Sequence, residues 1–258
     1  MTASLTPAER SAELSNRLRR VHTRITSAAA GGAAPTLIVV TKYFPASDVD
    51  LLAGLGVTDV GENKDQEAAA KALSVQAQDL NWHFIGQLQS NKAKSVVRYA
   101  AAVHSVDRLS LVTALGKAMA AEQSRRAQAG EQPRADLDVF LQVDLREQAA
   151  AGGSSGAGAG TGAGRGGALP RELPELAEAA AATPGLRLAG VMAVAPLGAD
   201  AREAFARLAA LSGELQRDHP GADAISAGMS GDLEAALENG ATHLRIGSDI
   251  LGPRPPVR

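Results

Sequence analysis

Leu37-Ile38-Val39-Val40-Thr41-Lys42 near the amino terminus and His243-Leu244-Arg245-Ile246-Gly247-Ser248 near the carboxyl terminus are the stretches whose reading decides the fold. Each is a short apolar run that closes on residues able to do chemistry: an amine in the first, an arginine, a glycine and a hydroxyl in the second. Between them, β-like runs alternate with amphipathic helical stretches, the pattern of parallel βαβ units. Strands are expected near 37–41, 58–61, 82–86, 101–105, 137–144, 187–193, 223–227 and 243–247. Eight parallel strands predict an α/β fold of the single-domain (β/α)8 TIM-barrel type over 1–258, with functional groups gathered at the carboxyl ends of the strands.

Working outward, Thr6-Pro7-Ala8-Glu9 reads as a helix start: Thr6 caps, proline occupies the first turn, and Glu9 returns as the second half of a capping box. Leu14, Leu18, Val21 and Ile25 then form one apolar stripe, so this arginine-containing segment is a docked helix rather than a targeting signal. Little chain follows Ser248, and its prolines oppose a long helix. The extra N-terminal helix is therefore expected to cover the gap in the outer ring.

A chain of 258 residues with 45% hydrophobic content can bury one large core. Net charge is −2 and the charges are mixed, which argues against nucleic acid or an anionic membrane as partner. No apolar run reaches the length of a membrane span. Cysteine is absent, so thiolate chemistry and disulfides are excluded, and a cytoplasmic setting fits. His22, His83, His104, His219 and His243 lack metal-ligand spacing, and no metal is assigned.

One stretch, about 149–168, is dominated by glycine and alanine and cannot bury enough apolar surface to offset its ordering entropy. It is expected to be a flexible insertion at the carboxyl end of the fifth strand, either a lid or a neutral expansion. The polar stretch Glu122 to Arg134 is expected to end a helix and connect on the opposite face.

Lys42 is one of only six lysines. At a barrel mouth, partly desolvated beside other cationic groups, its amine would be free to attack a carbonyl; the alternative is a lysine snorkelling into solvent. Ser226-Ala227-Gly228-Met229-Ser230-Gly231-Asp232 follows the seventh strand and opens a helix from Leu233 to Asn239, with Gly240 just beyond it. With Gly247 and Ser248 it forms a candidate phosphate cradle, or else two ordinary tight turns and a cap. Arg245 shares a strand face with Gly247 and needs a partner, either a bound pyridine nitrogen or an internal carboxylate such as Glu62 or Asp144. His83 alternates with Trp82 and Phe84 and is expected inside the barrel. An amine, a phosphate cradle and a guanidinium at one mouth are what pyridoxal 5'-phosphate requires.

Val-Val-Thr-Lys42, Gly61-Glu62-Asn63, Trp82-His83-Phe84-Ile85-Gly86-x-Leu88-Gln89-Ser90-Asn91-Lys92, His104-Ser105-Val106-Asp107, Gly190-Val191-Met192, Gly228-Met229-Ser230-x-Asp232 and Arg245-Ile246-Gly247 together resemble the pyridoxal phosphate homeostasis protein family. The resemblance implies the barrel of the amino-terminal domain of alanine racemase, with Lys42 holding the cofactor as a Schiff base. It further implies Ser226, Met229, Ser230, Gly247 and Ser248 around the phosphate and Arg245 at the pyridine nitrogen. Asn63 and Met192 would sit beside the ring, with His83 supporting that wall. An arginine at the nitrogen disfavours its protonation and weakens the ring as an electron sink. Three departures stand out: Thr41 where serine is usual, Lys64 where tyrosine is common, and the glycine-rich insertion in place of a short Lys-x-Gly loop, with Arg165-Gly166-Gly167 as its remnant.

The expected function is pyridoxal phosphate binding and homeostasis without robust turnover, by a monomer that hands cofactor to dependent apo-enzymes. The alternative is a racemase of the same barrel class, with Tyr43 or His83 as the second base. A Schiff-base aldolase acting on a sugar phosphate is the third reading.

Overall fold

The computed structural model describes residues 5–29, 33–146 and 166–254. Strands β1 (Thr36–Val40), β2 (Asp59–Glu62), β3 (Asn81–Phe84), β4 (Ala100–Val106), β5 (Leu137–Gln142), β6 (Leu186–Met192), β7 (Ala224–Ser226) and β8 (His243–Ile246) pair in parallel in chain order. Strand β8 returns to β1, with Ile38 opposite Arg245, and closes the barrel. All eight expected strands are present, their ends shifted by at most two residues.

Helices α1 (Pro7–Ala28), α2 (Ala46–Gly54), α3 (Asp65–Ser74), α4 (Ala93–Val96), α5 (Leu109–Gln128), α6 (Leu173–Ala181), α7 (Ala201–Asp218), α8 (Leu233–Glu238) and α9 (Ser248–Leu251) surround the sheet. The outward faces of the strands, with residues such as Val39, Val60, Val103, Val139, Val191 and Leu244, join the inward helix faces in one continuous apolar layer. Branched residues suit this place because they fill the pleated surface and lose little freedom there.

Both halves of the capping box form at the start of α1, and its stripe of Leu14, Leu18, Val21 and Ile25 is buried. The helix packs against α2, α8 and α9, covering the part of the ring where, among the described residues, the four-residue α9 is the one helix after β8. Arg10 pairs with Asp48 at 2.7 Å and reaches Leu251 O at 3.1 Å, while Arg24 pairs with Glu234 and Asp249. Two arginines thus tie α1 to its neighbours on either side.

The polar stretch Glu122 to Arg134 contains the end of a helix, as expected: α5 runs to Gln128. Glu122 is buried on its last two turns, held by Arg125 at 2.8 Å and Arg126 at 3.3 Å. Of the glycine-rich insertion, residues 149–165, Arg165 of the proposed remnant among them, lie outside the described residues. Gly166 to Ala168, which composition assigned to the flexible insertion, are described, and Ala168 makes a parallel bridge to Val143. Among the described residues no helix is long and apolar enough to cross a membrane.

Candidate functional site

A cavity of about 580 Å³ opens at the carboxyl ends of the strands. Val40 and Lys42 reach it from β1, Asn63 from the end of β2, Met192 and Val194 from β6, and Arg245 with Gly247 and Ser248 from β8. Met229, Ser230 and Gly231, which follow β7, complete the side opposite Asn63, Ile85 and Gly86. Of the ten residues singled out from sequence, eight line this one cavity: Lys42, Asn63, Met192, Met229, Ser230, Arg245, Gly247 and Ser248. His83 and Ser226 do not line it.

Lys42 sits just past β1, where the chain turns sharply. Tyr43 adopts φ 72°, the left-handed region that a residue with a Cβ enters only when its surroundings hold it there. The holding groups are visible. Tyr43 N–H donates to Glu67 Oε1 at 2.7 Å, and Thr41 Oγ1 donates to Glu62 Oε1 at 2.7 Å. Buried Lys71 donates to Thr41 O at 2.9 Å and to Glu62 Oε1 at 2.5 Å, and reaches Glu67 Oε1 at 3.5 Å. The residues on both sides of Lys42 are therefore bracketed by one charged cluster. Burial pushes the Glu62 carboxyl above its ordinary range, with Lys71 and Thr41 opposing that rise.

The turn brings the Tyr43 side chain to the cavity wall. Lys42 Nζ lies 5.9 Å from the Tyr43 ring, and Lys64 Nζ and the Arg254 guanidinium approach the same ring at 5.8 Å and 4.8 Å. Among the described residues Lys42 makes no ion pair, so its amine is not consumed by a structural partner.

Arg245 is 5% exposed and lines the cavity floor. Neither carboxylate considered from sequence is its partner: Glu62 belongs to Lys71, and Asp144 pairs with Arg146 at 2.5 Å. Nη1 donates instead to Ser226 Oγ at 2.6 Å and Nη2 to Ala193 O at 2.8 Å, two of five N–H donors. Burial lowers its pKa to about 10, with Asp232 opposing. Ser226 is fully buried, and its Oγ also meets His104 Nδ1 at 2.9 Å. The structure thus places Ser226 beneath the arginine, whereas Ser230 and Ser248 stand at the surface of the cavity with their hydroxyls 3.2 Å apart.

His83 faces the barrel interior, as its alternation predicts, and joins His104 and Asp59 at 2.9 Å each. Sequence reasoning missed His104, Asp59 and Lys71 as members of the site's support. The signals were present but faint: His104 lies two residues from Ala102 on the same inward face, and Lys71 lies three residues from buried Ala68 on α3.

Three features fit the cavity to pyridoxal 5'-phosphate. Asn63 Oδ1 is buried without a hydrogen-bond partner, an acceptor awaiting a ligand donor. A Cβ on Gly247 would stand 3.3 Å from Val40 O, so a side chain there would crowd the neighbouring strand end. The polar side chains lining it are Lys42, Arg245 and Arg254, the amides of Asn63, Gln87 and Gln142, and the hydroxyls of Tyr43, Ser230 and Ser248, with no carboxylate among the lining residues.

Residues 158–255 match the family described as alanine racemase, N-terminal domain. The pyridoxal phosphate homeostasis protein of Corynebacterium glutamicum is 39% identical over 219 residues, covering 85% of this chain and 90% of that protein. The protein of the same name from Pseudomonas aeruginosa is 38% identical over 248 residues, covering 93% and 96%. Among solved structures, PipY of Synechococcus elongatus with PLP bound matches with TM-score 0.71 at 29% identity, covering 93% of this chain and 100% of that one. Alanine racemase of Corynebacterium glutamicum shares the fold, with TM-score 0.62 at 15% identity over 96% of this chain and 63% of its own.

Proposed function

The chain belongs to the pyridoxal phosphate homeostasis protein family, and from that premise we propose how its mouth cavity serves that role. The protein binds pyridoxal 5'-phosphate and acts in the homeostasis of that cofactor. The observation that carries the reading is the convergence of eight motif residues from five strand ends on a single cavity around an amine that lacks an ion-pair partner among the described residues.

When bound, the cofactor supplies an aldehyde that condenses with primary amines, a ring with a basic nitrogen, and a phosphate dianion. Lys42 offers the amine, and the Lys71 bracket fixes its backbone. Arg245 can only donate, so it suits an unprotonated ring nitrogen. Asn63 Oδ1 accepts from a ring hydroxyl. Ser230, Gly247 and Ser248, with Met229, receive the phosphate; Met192 lines the ring's neighbourhood. Ser226 and His83 act one layer below, through Arg245.

A guanidinium at the ring nitrogen handicaps carbanion chemistry, and this supports binding without robust turnover. Our reading extends to one cofactor-binding domain over 1–258, working as a monomer in the cytoplasm and passing cofactor to dependent apo-enzymes. The racemase alternative needs a second base. His83 has both ring nitrogens occupied, which leaves Tyr43, on the cavity wall beside Lys42, as its candidate.

The test is a titration with pyridoxal 5'-phosphate followed by borohydride and peptide mapping. One equivalent fixed on Lys42, and none in Lys42→Ala, is expected. Label spread over other lysines would overturn the site. Deuterium wash-in at Cα of alanine or serine would favour the racemase.

A further inference from the structure

We propose that Asp59, His83, His104 and Ser226 form a one-directional hydrogen-bonded chain that crosses the barrel interior from its floor and fixes Arg245 as the donor presented to the ligand. This rests on the reading that the mouth cavity takes pyridoxal 5'-phosphate. The chain is continuous: Asp59 Oδ1 to His83 Nε2 2.9 Å, His83 Nδ1 to His104 Nε2 2.9 Å, His104 Nδ1 to Ser226 Oγ 2.9 Å, and Ser226 Oγ to Arg245 Nη1 2.6 Å. Its members come from β2, β3, β4, β7 and β8, and Asp59 starts β2 at the end of the barrel opposite the cavity.

The direction follows from the two ends. A guanidinium has only donors, so Ser226 Oγ accepts from Arg245. At the other end Asp59 receives donors on every side: Thr58 Oγ1 at 2.6 Å and Asn81 Nδ2 at 3.2 Å besides His83. Burial works to raise the Asp59 carboxyl, but these hydrogen bonds hold it below its ordinary range, as an ionised acceptor. His83 Nε2 therefore carries a proton, its Nδ1 accepts, His104 Nε2 carries the next proton, and His104 Nδ1 accepts from the Ser226 hydroxyl. An obligate donor and an obligate acceptor leave one arrangement of protons between them when both imidazoles are neutral. For His104 neutrality is secured by burial, with His83, Arg245 and His243 adding to it, and its ring stacks on Phe140 at 4.1 Å.

The other charged and titratable groups facing this chain are His243 and Arg187 near the floor, Asp138 paired with Arg187, and Asp232 acting on Arg245 from above. None of them breaks a link. His243 Nδ1 is occupied by Thr242 Oγ1 at 2.8 Å, and its ring meets the edge of Phe140.

If the chain reversed, His104 Nδ1 would donate to Ser226, whose oxygen would then receive two donors while its own hydrogen sought a new acceptor. Arg245 would then share Ser226 Oγ with a second donor, and the contact that orients it would weaken. Asp59→Asn creates this situation without disturbing the cavity, because an amide can turn its NH2 toward His83 Nε2; an aspartate-to-asparagine change beside a catalytic histidine has that tautomeric effect in serine proteases.

The experiment reads imidazole tautomers by 15N NMR in the ligand-free protein, and affinity by absorbance titration with pyridoxal 5'-phosphate and with pyridoxal. The wild type is expected to show the Nε2–H form at His83 and His104. In Asp59→Asn, His104 moves to the Nδ1–H form and both affinities fall about tenfold, because the lost interaction is with the ring. Asp59→Glu restores both. An unchanged His104 tautomer, or a changed tautomer with unchanged affinity, would overturn the proposal. Should Asp59→Asn not fold, His83→Gln is titrated instead, and wild-type affinity there would overturn it equally. Failure of the wild type to bind pyridoxal 5'-phosphate sinks the reading of the cavity, while the ligand-free tautomer measurement still decides the chain.

Discussion

The eight strands have two faces, and they are built on opposite rules. Outward, β-branched and leucine side chains merge with the helices into a single apolar cluster that runs from Leu14 to Leu251. Inward, the only apolar cluster among the described residues is the small group Ala102, Phe140, Ala189, Met192 and Ala224, with Val194 against it. Apart from Ile38 and Val40 on β1, the remaining interior carries buried polar groups: His83, His104, Gln142, Ser226 and Arg245. Burying such groups is tolerated only when each finds a partner, and a satisfied network is rigid. The outer layer holds the barrel together, and the inner one holds a few functional atoms in place.

The largest expected effect tests the outer layer alone. Phe205 on α7 is 2% exposed within it, and Phe205→Ala removes a packed ring that does not line the cavity. The expected cost is about 3–5 kcal/mol, a fall in Tm of roughly 8–15 °C. Ligand affinity, measured where the variant remains fully folded, stays within about twofold. A much weaker affinity would mean that the two faces are mechanically coupled.

Next comes the bracket around Lys42, which belongs to neither face. Lys71→Met leaves Glu62, fully buried, without its cation and is expected to cost about 3 kcal/mol. Borohydride fixation on Lys42 slows in this variant because the Thr41 to Tyr43 turn loses its clamp. The double variant Lys71→Met/Glu62→Gln recovers much of the stability but not the fixation rate. Equal recovery of both would show that the cluster is a stability device only.

The inner layer has a pH signature. Burial pushes His104 well below the ordinary histidine range and lowers His243 to about 4. A folded-state pKa below the unfolded value near 6.5 means that the unfolded chain binds more protons. Stability is therefore complete above about pH 6.5 and is lost as pH falls from there toward 4, on the order of 2–3 kcal/mol for His243. Glu62, whose carboxyl is raised by burial, works against this slope. Chemical unfolding at pH 7.5, 6 and 5 measures it, and His243→Gln is expected to flatten it. An equally steep fall in that variant would remove His243 as its source.

The outer face was legible in the sequence because parallel strands buried on both sides read as short apolar runs between turn residues. So were the residues on the mouth loops, whose small and polar types have little other reason to cluster. What a period of two cannot give is depth. It placed His83 on the inward face but not below the cavity, and Ser226, read as part of the phosphate cradle, lies deep enough to touch Arg245 instead. Lys71 looked like a surface lysine on an alanine-rich helix, since nothing local announces that its amine reaches Thr41 O on another element. The left-handed turn at Tyr43 was likewise invisible, because it is imposed by Glu67 from α3 rather than by the residue itself.

The smallest effect on stability should fall where the two faces end and the ligand begins. Ser248 is exposed, starts α9, and makes one side-chain hydrogen bond, to Ser230 Oγ. Ser248→Ala removes no packed volume and strands no buried atom, so unfolding is expected to change by less than about 0.5 kcal/mol. If Ser230 and Ser248 address a phosphate, the same variant weakens pyridoxal 5'-phosphate binding roughly threefold to tenfold, as loss of one hydrogen bond to a charged group should. Pyridoxal, which has no phosphate, should bind the variant and the wild type alike. Equal losses for both ligands would move Ser248 from the phosphate to the ring, and no loss for either would leave the cradle to backbone groups at Gly231 and Gly247.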